Sequence, residues 1–263
     1  MSWLQALVLG LVQGLTEFLP VSSDGHLELA HALLGTRQAE NLTFSVALHG
    51  ATVLATLVVF WTEIGRLLRG MAAKGRNSEK NFVLKLAVSM IPVFFVGVFF
   101  KDWIEGFFRG RLAVVGLFLL LTAALLALAL LRKPGSRDIS FGDALVMGVG
   151  QAAAVMPGLS RSGSTIAAGM LLGDRREDLA KFSFLMPIVP ILGANLLSLW
   201  RGEFSSASVG WLTLAVGFLK AFGTGLVTCR WMIGLVRRGK LAGFAVYCAA
   251  VGLAAILFSL LRK

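Results

Sequence analysis

Charge is scarce in this sequence: Asp, Glu, Lys and Arg make up 15% of its 263 residues against 57% hydrophobic ones, with a mean hydropathy of +0.80. That balance excludes a soluble globular domain and identifies a membrane protein. Acidic residues are the scarcer sign, 14 against 25 Lys and Arg, for a net charge of +11. In a soluble chain such an excess would suggest nucleic acid, but 22 of the 25 cations fall in short loops or termini, and no basic domain is left to hold a nucleic acid. Cysteine is limited to Cys229 and Cys248, at the end of one apolar run and within another. They carry no information on redox compartment and are expected to be structural. Residues 1 to 19 lack a basic n-region and carry Gln5, Gln13 and Glu17 among apolar positions, so no cleavable signal peptide is expected. Polar–apolar alternation is also missing, which excludes a strand barrel.

What the chain has in abundance is continuous apolar runs. Six are long enough to cross about 30 Å of hydrocarbon as helix: 42 to 61, 82 to 100, 112 to 131, 182 to 200, 209 to 228 and 241 to 261. Two further stretches, 1 to 35 and 141 to 173, are apolar at both ends but broken by QGLTEFLPVSSDGHL and by QAAAVMPGLSRSGST. Each reads as helix, irregular turn and helix. The second limbs, 25 to 34 and 163 to 172, would reach only about 15 Å, half-way through the hydrocarbon. Re-entrant hairpins are therefore expected, and irregular backbone at that depth is tolerated only where protein buries it or it lines a polar cavity.

The two stretches superpose at a constant offset of 138, pairing Gly10 with Gly148, Gln13 with Gln151, Ser22 with Ser160, Gly25 with Gly163 and Gly35 with Gly173, and the register continues through Phe44/Phe182 and Ser45/Ser183. The shared Gln and the Ser before a Gly-containing turn indicate an internal repeat. Three spans separate the hairpins, and an odd number inverts the second copy. The expected fold is an all-α polytopic membrane protein with an inverted-topology repeat, six transmembrane helices, and two re-entrant hairpins whose tips meet near the midplane. Repeat one covers about 1–131 with hairpin 1–35, and repeat two about 141–263 with hairpin 141–173.

Orientation follows from the cations. The segments 62 to 81, 132 to 140, 173 to 181 and 229 to 240 carry fifteen Lys and Arg on one side. The other side carries seven: Arg37, Lys101, Arg109, Arg111, Arg201, Arg262 and Lys263. The richer side is cytoplasmic, so both termini and the mouth of the first hairpin are expected to face outward. Lys85 lies four residues into its span and can snorkel.

Arg161 is different, because it sits in a hairpin turn at membrane depth. An arginine at bilayer centre costs about 2.5–3.5 kcal/mol, so an anion should compensate it. With Ser160, Ser162, Gly163 and Thr165 around it and a helix starting just after, the turn describes an oxyanion or phosphate cradle. Alternatively, Arg161 pairs with Glu17 to hold the tips together, which is compatible with a site. In the first hairpin Gln13 and Glu17 share a helix face, Pro20 ends the helix, and Ser22, Ser23, Asp24 and His26 follow. These types can serve as metal ligand, acid or base, and nucleophile in phosphoryl transfer, or they are satisfied polar groups in a buried turn. His49, inside a span, is a functional candidate by default or a structural hydrogen-bonding group. His31 and Glu28 are expected to be solvated, and Pro187 and Pro190 to kink and pack.

With these residues in view, the chain resembles the undecaprenyl-pyrophosphate phosphatase family of bacterial inner membranes, the bacitracin-resistance type called BacA or UppP. The resemblance runs over essentially the whole chain and rests on Gln13-x-x-x-Glu17 leading into FLPVSSDGH, together with PGLSRSG from Pro157 to Gly163. It implies dephosphorylation of undecaprenyl diphosphate to the monophosphate carrier at a site open to the periplasm, with dependence on a divalent metal, Mg²⁺ or Ca²⁺. By position it implies Glu17, Ser23, His26 and Arg161 as catalytic residues, with Gln13, Ser22, Ser160, Ser162, Gly163 and Thr165 contacting substrate. Ser23 would be the nucleophile and His26 the base or leaving-group acid; attack by an activated water is the rival. Gln13 stands where the family often has Glu, so a two-carboxylate metal site would need Glu17 together with Asp24.

The other membrane phosphatase class, the PAP2 type, needs a distant histidine, and none follows His49. An inverted-repeat transporter or flippase for an anionic lipid or solute shares the expected architecture and remains the alternative. Convergence of Ser, His and Glu on Arg would favour the enzyme.

Overall fold

The computed structural model describes residues 1–36, 38–100, 111–202 and 209–261, with side chains 38–42 not described. The expected outward cations Arg37, Lys101, Arg109, Arg262 and Lys263 lie outside the described residues. Twelve helices are described: α1 (Trp3–Thr16), α2 (Ser23–Leu34), α3 (Gln38–Val59), α4 (Trp61–Ala72), α5 (Ser78–Phe99), α6 (Leu112–Leu130), α7 (Phe141–Ala153), α8 (Arg161–Leu172), α9 (Arg176–Leu185), α10 (Ile188–Trp200), α11 (Trp211–Arg237) and α12 (Ala242–Leu261). Five stretches are long and apolar enough to span a bilayer: α5, α6, α9 with α10, α11 and α12. A sixth is counted only if the Thr43–Val59 portion of α3 and α4, which meet at a 76° bend, are taken together as one span. The protein is an all-α polytopic membrane protein, with apolar side chains such as Phe94, Trp200, Leu212 and Val246 on its outer surface.

Both broken stretches form helix–turn–helix units. In the first, a capping box between Ser2 and Gln5 starts α1, the chain breaks after Glu17, and α2 starts at Ser22 and closes on Gly35 at φ 63°. In the second, Ser140 and Asp143 form the capping box of α7, Ser160 caps α8, and Gly173 at φ 88° ends it. A side-chain oxygen at the cap satisfies an N–H that a helix start leaves unpaired, and a left-handed glycine does the same for the carbonyl end. α2 and α8 are displaced from each other by 138 at both ends and start two residues before the expected limbs.

Each first limb crosses a span of the other half at close range. A Cβ on Gly10 of α1 would strike the Gly217 backbone in α11, and one on Gly148 of α7 would strike the Ser89 backbone in α5. Small residues at such crossings let helices approach in lipid, where van der Waals contact replaces the hydrophobic drive. The main core lies between the hairpins and the spans, with Phe18 edge-on to Phe184 at 5.6 Å and Phe82 edge-on to Phe182 at 5.6 Å. Cys229 and Cys248 are buried and free, as expected of structural cysteines.

Two expectations change. The segment 62 to 81 is not simply a loop, because α4 occupies most of it, turning Leu67 inward while Arg66 and Arg69 stay at the surface. His31 is buried and hydrogen-bonds Thr36 Oγ1 at 2.6 Å, rather than being solvated.

Candidate active site

The site forms where the two turns meet. Ser22, at φ 69°, accepts the Gly158 N–H at 3.0 Å through Oγ, while Ser162 Oγ donates back to the Leu19 carbonyl at 3.1 Å. Thr122 of α6 clamps the second turn, donating to the Gly158 carbonyl at 3.0 Å and accepting the Ser160 N–H at 2.9 Å. Gly158 takes φ 100°, and a Cβ there would press on the Val115 carbonyl and Phe118. Without glycine at this position the turns could not close to this distance.

Across this junction the Arg161 guanidinium pairs with Glu17 Oε1 and also donates to the Ser183 carbonyl at 3.2 Å. The other carboxylate oxygen, Oε2, accepts from Gln13 Nε2 at 2.9 Å and from Ser23 Oγ at 2.7 Å. Glu17 and Arg161 side chains are 7% and 16% exposed, so water screens the pair poorly and its charges are strongly coupled. His49 approaches from α3, with Nε2 3.5 Å from Glu17 Oε2 and 3.4 Å from Asp24 Oδ1. Its Nδ1 is held by the Ser45 carbonyl at 2.8 Å, which fixes the ring.

A cavity of about 370 Å³ opens onto these groups. Its polar wall is Glu17, Ser22, Ser23, Asp24, His49, Gln151, Arg161 and Asn195; much of the rest is apolar, including Val46 of α3, Val93 of α5, Val155, and Pro187, Pro190 and Ile191 at the α9–α10 break. Pro187 stands at the break and Pro190 in the first turn of α10, and both line the cavity. A charged end against an apolar wall suits an amphiphile with an anionic head.

Several expected site residues are placed otherwise. His26 does not line the cavity: its Nδ1 lies 2.8 Å from the Ser22 carbonyl one turn back, its Nε2 shares a 2.8 Å hydrogen bond with the Tyr247 hydroxyl of α12, and the two rings stack. Both ring nitrogens are thereby occupied. Thr165 also faces away, bonding the Arg161 carbonyl at 2.9 Å and Ser183 Oγ at 2.6 Å, which steadies the strand of chain whose carbonyl receives Arg161. Ser160 Oγ is used as the α8 cap, accepting the Gly163 N–H at 3.0 Å, and Ser162 as a tip latch. Gly163 lies close to Pro20, with only 3.3 Å between a Cβ there and Pro20 Cβ. His49, a functional candidate from its place inside a span, lines the cavity, as does Gln151, for which no site role is expected from sequence. The sign for His49 was an ionisable group inside a span, and for Gln151 its register with Gln13.

A family model described as bacitracin resistance protein BacA matches residues 6–254. A protein of Parabacteroides distasonis named undecaprenyl-diphosphatase is 53% identical over 266 residues, covering all of both chains. One of the same name from Bacteroides thetaiotaomicron is 52% identical, covering 99% of this chain and all of the relative. Another, from Methanosphaera stadtmanae, is 38% identical over 97% of this chain and 98% of the relative.

Proposed function

The chain belongs to the bacitracin resistance protein BacA family, and on that premise we propose that the Glu17–Arg161 cavity is where it converts undecaprenyl diphosphate to undecaprenyl phosphate. That reaction recycles the carrier lipid for cell-wall synthesis and underlies bacitracin resistance. The observation that carries the site assignment is the buried pairing of Arg161 from one turn with Glu17 from the other, with the Ser23 hydroxyl leaning on the same carboxylate at 2.7 Å. The cavity opens to the periplasmic side, a reading supported by the fifteen cations counted on the opposite face.

The chemistry follows from an exchange of partners. A terminal phosphate is the stronger anion and takes the Arg161 fork, which releases Glu17 from its ion pair. The freed carboxylate accepts the Ser23 proton as Ser23 Oγ attacks the terminal phosphorus; the P–O bond to the lipid phosphate breaks and undecaprenyl phosphate departs. Water then hydrolyses the phosphoserine. Arg161 stabilises charge on the transferred group in both steps. His49, beside both Glu17 and Asp24, is better placed than His26 to move protons in the cavity. The Ser23–Glu17 contact favours this route over direct attack by water, and it is chemistry that a passive anion pathway or flippase would not require.

Among the described residues, no three His, Cys, Asp or Glu side chains are grouped to hold a metal ion by themselves. Glu17 and Asp24 nevertheless suit a hard divalent cation such as Mg²⁺ or Ca²⁺ completed by diphosphate oxygens, the usual way Mg²⁺ binds. Such an ion would neutralise part of the diphosphate charge.

Purified protein in detergent should release phosphate from undecaprenyl or farnesyl diphosphate. Arg161→Ala and Glu17→Ala should each lose at least about a thousandfold of that turnover while still folding. Full turnover in both variants would remove the site assignment. Phosphoserine trapped at Ser23 in a single turnover would support the serine route, and its absence would favour water.

A further inference from the structure

Gln151 of α7 is 4% exposed, and neither its Oε1 nor its Nε2 has a hydrogen-bond partner, yet the residue lines the same cavity as Glu17, Ser23 and Arg161. A buried amide with both ends unpaired is uncommon, because each lost bond leaves a desolvation cost uncompensated, and more so at membrane depth.

The repeat explains how the amide comes to be free. Its counterpart Gln13 donates from Nε2 to Glu17, four residues on. In the second hairpin the position equivalent to Glu17 is Val155, so the second amide has kept its place but lost its carboxylate acceptor. No oxygen of the cavity wall, those of Glu17 and Asp24 included, bonds the amide, so its acceptor is to be sought in what enters the cavity. Within the cavity, the group that brings anionic oxygens is the phosphorylated head of the substrate.

We propose that Gln151 is a substrate-binding residue, donating its side-chain amide to an oxygen of the diphosphate that Arg161 clamps. The inference rests on the function proposed above and adds to it a neutral donor from the first limb of the second hairpin. Rotation about the last side-chain torsion, which is broad for an amide, is enough to present Nε2 to such an oxygen.

The test compares wild type, Gln151→Leu, Gln151→Glu and Arg161→Ala in phosphate release from farnesyl diphosphate, with detergent melting curves for each. Gln151→Leu should raise KM about tenfold and lower kcat less. It should melt at or above the wild-type temperature, since an unpaired amide gives way to an apolar group of similar size. Gln151→Glu, of the same shape but anionic, should raise KM further. Wild-type KM in Gln151→Leu would overturn the proposal, as would unchanged KM with lowered kcat and a lowered melting temperature, which mark a packing role. Wild type that releases no phosphate would instead fault the function itself. Wild type active and Arg161→Ala inactive beside an unaffected Gln151→Leu would fault the Gln151 assignment alone.

Discussion

The two hairpins share a scaffold and divide the chemistry. Each has a twelve-residue second limb, a serine cap that accepts the N–H of the glycine three residues on, and a left-handed glycine at its end. In the first, the residues around that scaffold are Glu17, Ser23 and Asp24; in the second, the position of Glu17 is Val155 and the position of Ser23 is Arg161. The carboxylates and the Ser23 hydroxyl sit on one copy and the guanidinium on the other. Neither hairpin alone makes a site. Duplicated backbone geometry fixes where groups stand, and substitution at a few positions decides what they do.

The comparison can be broken where its effects are largest. Ser23→Ala removes the hydroxyl that leans on Glu17, and kcat should fall by at least about a hundredfold with the melting temperature nearly unchanged. Retained turnover would mean the first hairpin does not supply the nucleophile. Next are the turns themselves, where Pro20 and Gly158 occupy matching positions. Gly158→Ala should cost about 2–4 kcal/mol and most activity, since the new methyl group meets the Val115 carbonyl and the backbone is held at φ 100°. Pro20→Ala should cost under about 1 kcal/mol, because it changes chiefly the freedom of the unfolded chain. Equal effects at the two positions would show that the turns tolerate change alike.

The smallest effect lies at the hairpin mouths, where Thr36 and Asp174 match. Thr36 is bonded to His31, whereas Asp174 is buried beside Asp143 with no donor to its carboxylate oxygens. Burial, aided by the nearby Asp143 charge, pushes the Asp174 carboxyl up to about 6 from its ordinary value near 4. The folded protein therefore holds a proton that the unfolded chain releases earlier. This contribution to stability is full below about pH 4 and is lost as pH rises through about 6. Asp174→Asn should raise the detergent melting temperature at pH 7.5 by roughly 2–4 °C and flatten its decline between pH 4 and 7. An unchanged profile would remove Asp174 as the cause.

Much of this organisation is written locally in the chain. The breaks after Glu17 and before Ser160, five of the six expected spans and, as one of two readings, the pairing of Arg161 with Glu17 are legible because proline, glycine and charge in an otherwise apolar sequence have few placements in a bilayer. α4 is harder to see, since Arg66, Arg69 and Glu63 dominate its average polarity while one face still packs inward. The direction of His26 depends on Tyr247, 221 residues away, and no local pattern encodes that contact. The same holds for His49, whose depth is visible in the sequence but whose neighbours Glu17 and Asp24 are supplied only by folding.

The clasp between Glu17 and Arg161 has a consequence for the cell as well as for the reaction. Two short helices whose turns meet among membrane spans resemble the makings of a pore, and an unaccompanied arginine there would draw small anions inward. With the carboxylate already seated on the guanidinium, a chloride ion meets an occupied site and would have to displace Glu17 from Arg161. Only a multiply charged head carrying its own lipid anchor competes well for that seat.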